Sequence, residues 1–317
     1  MKIFVLMTLG IVAYARNIDL SMSEGTTAYG YIEKYAIPLA KIIREAEERS
    51  VQERIVGGSP ASLGQFPYQA GLLGRYLGTT SVGVCGGSLV SANKVITAAH
   101  CWFDGVNQAW QFTIVLGSTN VFFGGVRLGS TNVVMHPNFL PVMALNDVAV
   151  ISFSTSVGFS SKCCYFYFFS FGHNFGFIIL IHFFTALISP IALPSGNELN
   201  NDYTGEIATA SGYGLTSDGG SITTAQFLNH VNLTVISNAV CALTFPHHVH
   251  PSNICTSGFG GTNTCSGDSG GPLVVIRNNR PILIGITSFG FPLGCQLGMP
   301  AAYARVSSFI DFFNQNI

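Results

Sequence analysis

The sequence predicts an all-β protein, and three observations predict it. Short apolar runs alternate with Gly, Ser, Asn and Thr turns along most of the 317 residues. Glycine, the residue of tight turns, occurs 36 times. From Ile55 on, no long helical period appears until the last dozen residues. There Phe309, Ile310, Phe312 and Phe313, with Arg305 and Asp311, predict a short terminal helix with one apolar face. Composition removes other classes. The chain is 48% hydrophobic and 9% charged, which excludes disorder. A net charge of −1, from 14 basic and 15 acidic residues, leaves no basic field for nucleic acid. So low a charged fraction also suits a membrane protein, but the spacing of the turns favours a neutral β protein rich in Gly, Ser and Thr.

The first 15 residues predict a signal peptide. Lys2 is its positive start, Ile3 to Val12 is its apolar run, and Ala13-Tyr14-Ala15 is a small-x-small cleavage signal. The run is too short to span a bilayer. The mature chain is then exported to an oxidising compartment. Asn232-Leu233-Thr234 is a glycosylation sequon in such a chain, and a chance tripeptide fits it equally well. Residues 1–54 hold seven of the basic and seven of the acidic residues, so 16–54 differ from the apolar body. Within them, Ile37-Pro38 followed by Leu39 to Glu48 predicts a short amphipathic helix with Pro in its first turn. The segment ends Glu53-Arg54, directly before Ile55-Val56-Gly57-Gly58.

Residues 162–185 do not match their surroundings. They hold eight of the 25 Phe and no acidic residue. Three readings compete. A membrane span needs ~20 apolar residues, but Gly172, His173, Asn174, Gly176 and His182 interrupt this one. A core helix lacks flanking caps. A retained intron accounts for the most. Ser161-Lys162 can be encoded AGT-AAG, which contains an intron start. Phe183-Phe184-Thr185-Ala186 can be encoded by a pyrimidine run ending in ACAG. Removing residues 162–185 joins Ser161 to Ala186, and 239 residues remain from Ile55 to Ile317.

Three islands carry chemistry: Thr97-Ala98-Ala99-His100-Cys101, Asn146-Asp147-Val148-Ala149-Val150, and Gly267-Asp268-Ser269-Gly270-Gly271-Pro272. A serine hydroxyl is a poor nucleophile. It needs an imidazole to take its proton and a buried carboxylate to hold that imidazole in the right tautomer. The islands supply one of each, in the order His, Asp, Ser. Gly-x-Ser-Gly also lets the amides of Gly267 and Ser269 converge on an oxyanion. Each island alone fits a blander role: a core histidine, a turn aspartate, a tight turn. Together, and preceded by Arg54-Ile55-Val56-Gly57-Gly58, they do not.

From Ile55 to Ile317, leaving aside 162–185, the chain resembles the chymotrypsin/trypsin-like serine peptidases, and is most similar to secreted insect digestive chymotrypsins. The resemblance implies two six-stranded antiparallel Greek-key barrels, with the active site between them and a short C-terminal helix. It implies His100 as general base and acid, Asp147 as its orienting partner, Ser269 as nucleophile, and Gly267 and Ser269 as the oxyanion hole. It implies a zymogen, with 16–54 as activation propeptide. A trypsin-like protease would cut after Arg54, and the new Ile55 amine would pair with Asp268. It implies the disulfides Cys85–Cys101, Cys241–Cys255 and Cys265–Cys295, leaving Cys163 and Cys164 inside the anomalous stretch. Without a cysteine in 16–54, the leader is not tethered after cleavage.

In the family the residue six before the nucleophile lies at the base of the primary pocket, and here it is Asn263. A neutral amide cannot neutralise a buried Arg or Lys. Ser288 and Gly290, in Ser288-Phe289-Gly290, match the substrate-binding segment Ser-Trp-Gly, with Phe for Trp. Ala301 stands where Gly is common and narrows the base. These residues imply chymotrypsin-like cleavage after large apolar or aromatic side chains; elastase-like specificity and a non-catalytic binding homologue are the alternatives. No cofactor is implied. His247-His248-Val249-His250 lacks a carboxylate partner and reads as a solvated loop. Calcium is not expected, since no Asp or Glu occurs between 105 and 146. The implied partners are protein or peptide substrates and the activating protease, with neither nucleic acid nor membrane. The implied enzyme is a monomer, secreted, in a gut lumen. Mass spectrometry of the purified protein is expected to yield no peptide from 163–184; detecting one overturns the intron reading.

Overall fold

The computed structural model describes residues 28–49, 59–159, 187–218 and 227–317. The signal segment, Arg54, Ile55 and the stretch 162–185 with Cys163 and Cys164 lie outside the described residues. The body opens with β1 (Ser59–Pro60). A first sheet follows, made of β2 (Gln69–Tyr76), β3 (Val82–Ser91), β4 (Lys94–Thr97), β5 (Ala109–Leu116), β6 (Val126–Ser130), β7 (Asn132–Met135) and β8 (Ala149–Ser152). A second contains β9 (Ile207–Gly212), β10 (Asn229–Ile236), β11 (Asn253–Thr256), β12 (Pro272–Arg277), β13 (Arg280–Phe289) and β14 (Ala301–Arg305). All pairings between these strands are antiparallel.

The first sheet runs β6-β5-β2-β3-β4-β8-β7. Its two edges, β6 and β7, are separated in sequence by Thr131 alone. They are two halves of one bent strand, one paired to β5 and the other to β8, so the sheet curls round on itself. The Ser130 hydroxyl sits at the bend, donating to the Ser152 carbonyl at 2.6 Å. The second sheet runs β1-β10-β11-β14-β13-β12-β9 and closes into a six-stranded barrel by β9–β10 pairing, with β1 added outside. In β10, Leu233 and Val235 face inward while Asn232 and Thr234 face solvent, the period-two pattern of a strand with one dry face.

Two features join the barrels. One core cluster runs from Leu72, Ile96, Ile114 and Val150 of the first to Val274, Leu283 and Ile286 of the second. The C-terminal helix Ile310–Asn316 extends it: Phe313 is fully buried in this cluster, and Phe309 and Phe312 lie against the His136 ring. The Lys94 ammonium holds the helix end by donating to the Asn316 carbonyl at 2.7 Å.

The leader also has structure. A wide π-type turn, Ile32–Ala36, runs directly into α1 (Ile37–Arg49); the Ile37 amide donates to the Ile32 carbonyl, and Pro38, which has no amide to donate, follows that wide turn. Its apolar face does not point to solvent. Leu39, Ala40 and Ile43 are buried against Val84, Val115, Val121, Tyr213 and Leu228 of the body. Two further helices are α2 (Asn238–Ala242), capped by the Ser237 hydroxyl on the Val240 amide, and α3, the C-terminal helix. Among the described residues no helix is long and apolar enough to cross a membrane.

Truncating Phe313 to Ala opens a cavity in the cluster shared by both barrels. The expected cost is about 3–5 kcal/mol of unfolding free energy. Urea titration measures it, and a loss below ~1 kcal/mol overturns the joining role.

Candidate active site

His100 is delivered by the end of a strand. β4 stops at Thr97, and the chain enters a one-turn 3₁₀ helix, Ala99–Cys101. The next residue, Cys101, is bonded to Cys85 of β3 (S–S 2.04 Å), which fixes the turn to the sheet. Asp147 lies just ahead of β8. Asn146 before it takes φ 54°, a left-handed conformation that Asn tolerates. Ser269 sits in the loop ahead of β12. There Gly267 takes φ 95° and Gly270 φ 79°. A Cβ at Gly270 would collide with the Thr97 hydroxyl and the Gly86 carbonyl, so only glycine lets this loop approach the first sheet. The approach is sealed by the Gly86 amide donating to the Ser269 carbonyl at 2.7 Å.

These loops meet between the barrels. The Asp147 carboxylate is 1% exposed and accepts three hydrogen bonds. They come from the His100 amide at 2.9 Å, His100 Nδ1 at 2.6 Å and the Ser288 hydroxyl at 2.6 Å. With Nδ1 engaged, Nε2 is the free nitrogen of the ring, and it is buried without a hydrogen-bond partner. Ser269 is 6% exposed and makes no hydrogen bond to Nε2. Among the described residues the amides of Gly267 and Ser269 donate to no protein acceptor within hydrogen-bond geometry.

A leader side chain lies at this junction. The Tyr31 ring packs edge-on against the His100 imidazole, centroids 4.4 Å apart. Its hydroxyl faces the Ser269 side chain and the Gly267 backbone, without meeting hydrogen-bond geometry with either. Burial pushes this phenol up to about 12, so it stays neutral.

Beside Ser269 opens a cavity of ≈250 Å³ lined by Asn263, Ser288, Phe289 and Gly290, with Tyr31 and Tyr35 also on its wall. The Asn263 amide donates to the Met299 carbonyl at 2.8 Å and accepts the Thr264 amide at 3.0 Å. A Cβ at Gly290 would meet nothing within 4 Å, so that wall is open. Ala301 does not line the cavity. It is buried in the core of the second barrel with Ile254 and Tyr303, paired to Thr256 across β11. The cavity wall is braced by Cys265–Cys295 and by Asp218, whose oxygens accept the amides of Cys295 and Gln296 at 2.6 and 2.9 Å. The Asp268 carboxylate accepts the amides of Gly214 and Cys265 at 2.8 and 2.9 Å, and burial raises its pKa to about 6 against those donors.

Sequence reading did not find Tyr31, Tyr35, Asp218, or the bond from Ser288 to Asp147. Each depends on residues far apart in the sequence, and of these residues only Ser288 belongs to a motif. Cys241–Cys255 closes the remaining disulfide. Asn232 is exposed on β10 and accepts the Thr209 hydroxyl. His247, His248 and His250 do not converge into a metal-binding group.

Comparison with known proteins agrees with this geometry. The family model described as Trypsin matches residues 55–313. Serine protease 1 of Drosophila melanogaster is 34% identical over 276 residues, covering 84% of this chain and 87% of the relative. Collagenase of Hypoderma lineatum is 35% identical, covering 83% and 87%. The solved HL collagenase structure at 1.7 Å superposes with TM-score 0.68 at 34% identity, covering 83% of this chain and 98% of that one. The chain belongs to the trypsin family and is a serine-type endopeptidase.

Proposed function

We propose that this is a secreted enzyme made as a zymogen, with His100, Asp147 and Ser269 as its catalytic triad and a preference for large apolar or aromatic side chains. The buried Asp147–His100 pair beside Ser269 carries the reading. Asp147 fixes Nδ1 as the protonated nitrogen, so Nε2 takes the proton as Ser269 Oγ adds to the peptide carbonyl. The amides of Gly267 and Ser269 donate to the oxygen that gains charge. Nε2 then gives its proton to the departing amine, and an acyl-enzyme remains on Oγ. Water repeats the sequence and frees the acid. Ser288 Oγ donates to Asp147 Oδ2, the oxygen that also takes His100 Nδ1, and so helps to satisfy the buried carboxylate.

The cavity supports the side-chain preference. Its Asn263 is neutral, and its amide donor is already committed to Met299. Asn263 offers an Arg or Lys no counter-charge, which is costly for a buried cation, and the one carboxylate in the lining, Asp218, is exposed and taken up by the Cys295 and Gln296 amides. The open wall at Gly290 leaves room for a ring. Export is supported by the disulfides: all six cysteines among the described residues are paired, a state that persists in oxidising compartments.

Activation by cleavage between Arg54 and Ile55 is supported by β1. Ser59 pairs with His230, which with Asn229 and Gly212 lines a cavity opening onto Asp268. Ile55 is four residues upstream, a reach of about 14 Å at most. Among the described residues Asp268 has no cationic partner, and a buried lone carboxylate is costly. An α-ammonium at that position removes the cost and fixes the loop that carries Gly267 and Ser269.

After cleavage, Ser269→Ala is expected to lower kcat by about 10⁴-fold or more with folding unchanged. The unsubstituted enzyme is expected to favour Phe and Leu peptides over Ala and Arg. A steady-state panel of the four measures this, and faster cleavage after Arg or Ala overturns the specificity. The free amine titrates near ~8, and pairing with Asp268 raises it. Ion-pair stability is therefore present below the free value and lost as pH climbs through the raised one. Activity of the cleaved form should fall on that alkaline limb. Equal activity of the uncleaved chain overturns the activation mechanism.

A further inference from the structure

The leader lies along the enzyme's own cleft. Three of its amides donate to the loops that flank His100 and Asp147. Ala28 donates to the Pro141 carbonyl at 3.0 Å, Gly30 to the Asp104 carbonyl at 3.0 Å, and Ile32 to the Asp104 carboxylate at 2.7 Å. Asp104 is fully buried, and its carboxylate also accepts the amides of Val106 and Asn107. Tyr31 fills the space between His100 and Ser269, and the Tyr35 ring packs tilted beside it, centroids 5.8 Å apart, on the wall of the cavity. Ile32 and Ala36 enter the core cluster of the body, and Leu39 and Ile43 follow along α1. The far end is pinned as well. The Glu47 carboxylate accepts the amides of Val121 and Phe122, both at 2.7 Å. The contacts therefore run continuously from residue 28 to residue 47.

This segment is placed where a substrate binds, but it is not shaped as one. A peptide to be cut lies extended, with its carbonyl presented to the nucleophile. Here the backbone after Tyr31 turns into a helix whose carbonyls are taken up by its own hydrogen bonds. The group turned toward Ser269 and the Gly267 amide is a phenol, which holds no scissile bond. The phenol oxygen stands beside the Gly267 backbone, one of the two donors that would receive an oxyanion.

We propose that residues 28–49 are a tethered inhibitor of this enzyme, anchored by Tyr31, and that the segment still binds the cleft in trans once the bond after Arg54 is cut. The inference rests on Ser269 being the nucleophile. It makes activation a two-step event: the cut frees the Ile55 amine, and loss of the tether turns leader binding from intramolecular to intermolecular. No cysteine holds the leader, so dilution releases it.

The test uses the full chain cleaved at Arg54 by immobilised trypsin, with the leader then removed by gel filtration. A synthetic peptide of residues 28–49 is added back, and hydrolysis of a Phe substrate is followed. Competitive inhibition is expected, with the Tyr31→Ala peptide weaker by about tenfold or more. Binding of the fluorescein-labelled peptide to the cleaved Ser269→Ala chain, read by anisotropy, reports the same contact without catalysis. An active enzyme that the peptide does not inhibit up to about 1 mM overturns the inference and leaves the catalytic reading standing. Equal inhibition by both peptides overturns the Tyr31 anchor. A cleaved enzyme without hydrolysis, which still binds the labelled peptide, overturns the catalytic reading instead.

Discussion

The architecture depends on one buried carboxylate. Asp147 is 1% exposed, and a carboxylate cannot be taken from water without replacing the hydrogen bonds it loses. Its replacements come from both barrels: two from His100 in the first and one from Ser288 in the second. The same group that orients the imidazole thus requires the two sheets to stand at a fixed separation. Gly86 meeting Ser269, and Gly270 slipping under Thr97, set that separation on the other side of the site. Stability and chemistry draw on the same contacts here.

Much of this was legible in the sequence because the family writes its chemistry into contiguous motifs. The islands around His100, Asp147 and Ser269 are each short, and the structure brings them together between the barrels. Strand alternation foretold the fold class, and Phe309, Ile310, Phe312 and Phe313 foretold the terminal helix, which runs three residues further to Asn316. The two-barrel architecture came from the family resemblance. Its strand count needs the bend at Thr131, where one strand serves both edges of the first sheet. Only Gly129, two residues ahead, marks the approach to that bend.

What stayed hidden are contacts between distant segments. The leader's amphipathic period predicted a helix but could not say what its apolar face covers. Leu39 and Ile43 find Val84, Val121 and Tyr213 only through the closure of both sheets. Tyr31 had no motif around it, and its meaning comes from standing against His100. Ala301 was read by family position as a pocket residue, yet its β14 register turns it into the barrel core. Arg54, Ile55 and 162–185 fall outside the described residues, so their roles rest on sequence and on their flanks.

The grip of Asp218 on Cys295 and Gln296 has a consequence for the shape of the cavity beside Ser269. One wall of that cavity is fastened to the segment that follows β9, from a strand on a different part of the barrel. The pocket's dimensions are thus a joint property of two remote stretches of chain. Changing the anchor would reshape the recess while every side chain deep within it stayed the same.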